Sequence, residues 1–215
     1  MKINVLISLS FYLFINIFFL ADLRSQINNT IVVKIGSSII TSVDIENEII
    51  TNLTINKIEI TQKNINNYKN IALKNLINNS IKKNEVEKYK ITKYNKQDLK
   101  SYIDKIAQNL NTNTVGLKDI FKGLGISYDS LAEKHTTELL WNTLIYSLYS
   151  NQININIVDV NNEIKAMEEK DSEFDIKKIK KKIVSKKKQE KLNLFSRSHF
   201  SNLENTVQIE FKWRN

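Results

Sequence analysis

The side chains best suited to acid–base, metal or nucleophilic chemistry in this sequence are its two histidines, two groups of acids and a few serines. His135 and His199 could serve as metal ligands or general bases. Zinc, however, needs several Cys, His or carboxylate ligands brought close together, and the chain has no cysteine and no second histidine at ligand spacing. A structural or solvent-facing role is expected for both. Asp44, Glu46 and Glu48 fall at an expected helix start, where capping and the helix dipole account for acids without catalysis. The same account covers Glu168, Glu169, Asp171 and Glu173. Ser127 and Ser130 lack a His–Asp setting, and Gly123-Leu124-Gly125 suits a helix end, not a phosphate-cradling loop. No catalytic, cofactor or metal site is expected.

Function must then come from surfaces, and composition bounds their shape. With no proline and four glycines in 215 residues, tight turns are scarce and long helices are expected. Without cysteine, packing alone must hold the fold. The length suits one domain with a real core, or one domain and an arm.

Lys2 followed by the apolar run Val5 to Ala21, broken only by Ser8, Ser10 and Asn16, has the form of an export signal. Its apolar core approaches the lower limit of a membrane span. Ser25, with Leu23 two positions before it, marks the expected cleavage point, so residues 1–25 are assigned to a signal peptide. A retained anchor is the alternative. Removing Lys2, Asp22 and Arg24 takes the formal charge from +9 to +8, with 30 basic and 22 acidic residues left. Much of the excess lies in Lys177 to Lys191, where nine lysines face one acid, Glu190. A solvated helix face is expected there, with contact to an anionic membrane surface as the sharper alternative. Export argues against a nucleic-acid partner.

Ile31 to Ile35, the turn Gly36-Ser37-Ser38 and then Ile39-Ile40 predict a small hairpin. Thr41 and Asp44 form an acidic variant of the capping box, opening a helix over Val43 to Ile55. Ala72, Leu73, Leu76, Ile77 and Ile81 predict a second helix over Tyr68 to Tyr89. A third follows over Gln97 to Leu110, and a short fourth, with Leu117, Ile120, Phe121 and Leu124, stops at Gly125. Ser127 caps a long fifth helix with Leu131, Leu140, Trp141, Leu144, Ile145 and Leu148 on one face. Asp159 is expected to open a sixth element carrying Val160, Ile164 and Met167. After an acidic loop, Asp171 to Asp175, a final helix spans Ile176 to Leu203. Val207, Ile209, Phe211 and Trp213 alternate with Gln208, Glu210 and Lys212, a strand whose simplest partner is the N-terminal hairpin.

The order IVVKIGSSIITSVDI, ALKNLINNSIKKNEVEKYKI, GLKDIFKGLGISYDSLAEKHTTELLWNTLI, INIVDVNNEI and HFSNLENTVQIEFK resembles the SurA family of periplasmic chaperones. The resemblance covers almost the whole chain after the signal. It implies a mainly α, multi-helix SurA/trigger-factor-like chaperone domain over residues 26–170. Residues 171–215 then form a C-terminal helix and strand that pack back on it, and a small sheet pairs the two chain ends. Full-length relatives carry parvulin-type prolyl isomerase domains between the helical body and the last helix. Only Glu168 to Asp175 occupies that place here, so isomerase activity does not carry over.

The resemblance implies a periplasmic, ATP-independent holding chaperone that binds unfolded outer-membrane or envelope polypeptides without a cofactor. Phe121, Tyr128, Leu131, Trp141, Ile145 and Tyr149, with Tyr146, are the expected client-binding residues, since adaptable apolar and aromatic surface binds extended chains with little sequence demand. Core packing is the rival role for each. The terminal strands are a second candidate, through β-augmentation at an open edge. A degenerate parvulin-type isomerase and a membrane-proximal adaptor are the alternative functions.

Overall fold

Thr41 opens the first helix: its side chain accepts from the Asp44 N–H at 3.2 Å while the Asp44 carboxylate accepts from the Thr41 N–H at 2.8 Å. This reciprocal box satisfies two donors that a helix start would otherwise leave unpaired. The computed structural model describes residues 29–168 and 175–212. The expected signal peptide over 1–25, Trp213, the acids Glu169, Asp171 and Glu173, and the Met167 and Glu168 side chains lie outside the described residues. Ile31 onward clusters as one unit; of the preceding unit only Asn29 and Thr30 are described, and they belong to no helix or strand.

In chain order the described elements are β1 (Ile31–Ile35), β2 (Ser38–Thr41), α1 (Ser42–Ile55), α2 (Gln62–Lys88), α3 (Lys96–Asn109), α4 (Thr114–Gly123) and α5 (Tyr128–Tyr149). A 3-10 turn (Ser150–Gln152), α6 (Ile157–Glu168), α7 (Ile176–Thr206) and β3 (Ile209–Phe211) follow. The fold is mainly helical with one small antiparallel sheet of order β2-β1-β3, so the two ends of the described chain do pair. Val33 faces Ile40 on one side and Phe211 on the other. A bulge between Ile31 and Val33 interrupts the period-two alternation. Hence Val33 and Ile35 are buried whereas Ile31, two positions earlier, is exposed.

Some boundaries differ from the sequence reading. Helix α2 begins at Gln62, six residues before Tyr68, because Thr61 accepts from the Asn64 N–H and supplies an N-cap. Helix α6 is opened by Asn156, whose side chain accepts from the Val158 N–H at 3.0 Å, and Asp159 sits in its first turn instead of capping it. Ser38 belongs to β2, not to the turn, and α7 runs three residues past Leu203.

Helices α1 to α4 end alike. After each C-cap, one residue adopts positive φ: Lys57 (56°), Lys90 (55°), Asn111 (55°) and Gly125 (70°). Its N–H returns three residues, and the next N–H reaches back five, as in Ile126 to the Phe121 carbonyl at 3.0 Å. Ile58, Ile91 and Ile126 then pack beside Leu53, Val86 and Phe121, the hydrophobic contact that accompanies such ends. A side chain is strained in the left-handed region, so the two exposed lysines carry a cost that glycine would not. Lys57→Gly and Lys90→Gly are each expected to raise stability by roughly 0.5–1 kcal/mol, and Gly125→Ala to lower it similarly, as read from denaturation midpoints.

The core divides into connected clusters. Ile103, Ala107, Leu117, Phe121 and Leu131 join α3, α4 and the start of α5. Val86, Trp141, Leu144, Ile145 and Leu192 join α2, α5 and α7. Val33, Ile35, Ile40 and Ile81 seat the sheet on α2, and Ile49, Leu53 and Ala72 hold α1 to α2. Val160, Ile164 and Ile183 form a small separate cluster between α6 and α7.

Candidate functional site

Helices α1 and α2 pack closely at Leu53 and Ala72, both fully buried. Beside that contact lies an open cleft of about 540 Å³. Its wall is apolar: Val32 from β1, Ile45, Ile49 and Ile50 from α1, and Ile65 and Leu73 from α2. Five of these, Val32, Ile45, Ile50, Ile65 and Leu73, are only half-buried. Ser42, Glu46, Gln62, Lys69 and Asn70 rim it. Val32 reaches the wall because the β-bulge turns alternation at this end of β1. Open apolar surface with a polar rim and no fixed donor set suits binding of aliphatic side chains from another chain, with little demand on their sequence.

The six residues expected to bind clients do not share a crevice. Phe121, Leu131, Trp141 and Ile145 are core residues, each no more than 2% exposed. They belong to two clusters, Phe121 and Leu131 in one and Trp141 and Ile145 in the other. Tyr128 sets its ring edge against Phe121, with centroids 6.3 Å apart, and lies under Lys118. Tyr149 stacks on Phe195 at 4.8 Å. Tyr146 is half-exposed with Lys188 over its ring. The burial of those four core residues has a geometric cause: α5 packs against α2, α3 and α7.

The two histidines are held in polar contacts between helices. His199 Nδ1 meets the Tyr149 hydroxyl at 2.7 Å, and Nε2 meets Glu85 Oε1 at 3.2 Å. Burial raises the Tyr149 pKa above the ordinary phenol value, with the charges of Tyr89 and Glu85 adding to it. The Glu85 carboxylate accepts from the Nε2 N–H, and the Tyr149 hydroxyl closes the contact at Nδ1. Trp141 Nε1 donates to Ser196 Oγ at 2.8 Å alongside. These bonds tie α2, α5 and α7 together. His135 stacks flat on Tyr102 with centroids 3.5 Å apart, and burial lowers its pKa below the usual histidine value. Among the described residues no three His, Cys, Asp or Glu side chains are grouped to hold a metal ion.

Glu48 is not the exposed capping acid that its position suggests. It is 6% exposed and accepts from Lys134 Nζ at 2.7 and 2.8 Å, from Asn52 at 2.8 Å and from Asn75 at 3.3 Å. That pair crosses from α1 to α5, and a second, Lys82 to Glu138 at 2.7 Å, crosses from α2 to α5. Both pairs tie α5 to the helices that line the cleft. Asp44 alone of the three acids serves the cap.

Sequence reasoning missed the cleft because Ile45, Ile49, Ile65 and Leu73 lie on ordinary apolar stripes, and periodicity does not say which part of a stripe stays uncovered. No family model matches the chain, and no curated protein matches it.

Proposed function

We propose that the chain is a SurA-like, ATP-independent holding chaperone that acts in the periplasm on unfolded outer-membrane or envelope polypeptides, without isomerase activity. The observation that carries this reading is the open apolar cleft between α1 and α2, lined by Val32, Ile45, Ile49, Ile50, Ile65 and Leu73. A holding chaperone must bind exposed aliphatic side chains weakly and in many sequences. Half-buried isoleucines and leucine on a rigid helical frame supply that contact, since their burial against a client is favourable at about 25 cal/mol per Å² and non-directional.

The test is suppression of aggregation of a diluted, unfolded outer-membrane β-barrel protein, followed by light scattering. Wild-type chain is expected to suppress scattering at near-stoichiometric ratio. Ile65→Asp, which places a charge in the cleft wall, is expected to require about fivefold more protein for the same effect. Val115→Asp, at a 69% exposed apolar residue outside the cleft, is expected to behave as wild type. Circular dichroism fixes the folded fraction to which each result is normalised. No suppression beyond an inert basic control would sink the reading, and measurable turnover of a prolyl-peptide substrate would move it to an isomerase.

A further inference from the structure

Of the nine lysines of α7, three are engaged by neighbours, four form a stripe, and Lys177 and Lys180 are exposed beside it. Lys187 pairs with Glu163 at 3.0 Å, Lys188 lies over Tyr146, and Lys191 donates to the Asn154 carbonyl. Lys178, Lys181 and Lys182 are exposed, and their ammonium groups meet no acid or carbonyl among the described residues. Lys186, also exposed, approaches Glu190 only at 4.0 Å. These four follow the spacing i, i+3, i+4 and i+8, so they line one face of the helix with Ser185 and Gln189. The face runs about 17 Å from Lys178 to Gln189. The opposite side, Ile179, Ile183 and Val184, packs on Val160 and Ile164 of α6.

Helix stability does not explain this stripe. Like charges three and four residues apart repel, and cations near a helix N-terminus oppose its dipole. An external anion relieves both costs. The stripe contains lysine and no arginine, so it offers mobile point charges without the fixed fork that reads a particular phosphate or carboxylate. It holds no aromatic ring on which a base could stack. We infer that the stripe Lys178, Lys181, Lys182 and Lys186 docks this protein on an anionic phospholipid surface. The inference is independent of the holding activity.

Full-length chain is sedimented with vesicles of phosphatidylcholine alone and with vesicles carrying phosphatidylglycerol as well. The comparison between lipids cancels whatever Val5 to Ala21 contributes to binding. Each lysine beside anionic headgroups is expected to favour partitioning about fivefold. The phosphatidylglycerol-dependent increment should therefore fall roughly six-hundredfold when all four lysines become Gln, and fade in about 0.5 M salt. Replacing Lys63, Lys93, Lys96 and Lys100 with Gln removes the same charge from exposed positions elsewhere and should leave most of the increment. Equal loss in both variants, or no increment in wild type, overturns the inference. Tighter binding to duplex DNA than to the anionic vesicles at matched salt overturns it in favour of a nucleic-acid surface.

Discussion

Trp141→Ala is expected to lower stability by about 4 kcal/mol while leaving aggregation suppression per folded molecule unchanged. Trp141 is 1% exposed and is the largest fully buried side chain among the described residues. It packs edge-on against Phe200 at 6.1 Å, lies 5.5 Å from the His199 ring and donates to Ser196. Truncation removes the contacts, opens a cavity where α2, α5 and α7 meet and leaves the Ser196 hydroxyl without its donor. For a domain of this length the loss corresponds to roughly 8–16 °C in Tm. Trp141→Phe keeps most of the volume and should cost about 1–2 kcal/mol. Thermal melts check the stability, and scattering assays normalised to folded protein check the function. A Trp141→Ala protein that melts like wild type but captures clients poorly would return this residue to the binding surface.

Lys134→Met is the second large effect, expected to cost about 3 kcal/mol. Its ammonium is the charge partner of Glu48, a carboxylate 6% exposed between α1, α2 and α5. Removing it leaves Glu48 with amide donors only, from Asn52 and Asn75, and no counter-charge. Adding Glu48→Gln to Lys134→Met removes the stranded charge and should recover about 2 kcal/mol. Urea denaturation of the two single variants and the double variant measures the coupling. Additive losses would show that the pair contributes nothing beyond each side chain's packing.

Local signals carried most of the fold. The Thr41–Asp44 box, the Ser127 cap, the stop at Gly125 and the alternation around Ile209 and Phe211 depend on neighbours in sequence, so they could be read directly. The start of α2 was recoverable too: Thr61 as cap, then Ile65, Tyr68 and Ala72 at helical spacing, although the polar run between them hid it. Burial was not recoverable. Trp141 and Ile145 have the same residue types and spacing whether α7 covers them or not, and only the packed helices show that it does. Glu48 shows the same limit in a polar group, since its partner lies 86 positions away in sequence. The candidate cleft depends on how β1, α1 and α2 are packed, a tertiary arrangement with no local code.

The most direct measurement of the central claim is site-specific photo-crosslinking. A photoreactive side chain is placed at Ile65 in the cleft wall or at Val115, which is more exposed and equally apolar but lies on α4 outside the cleft. With an unfolded β-barrel protein present, cross-linking is expected at Ile65 and little at Val115. Equal cross-linking at both positions, or a Val115 adduct without one at Ile65, would contradict the cleft as the holding site.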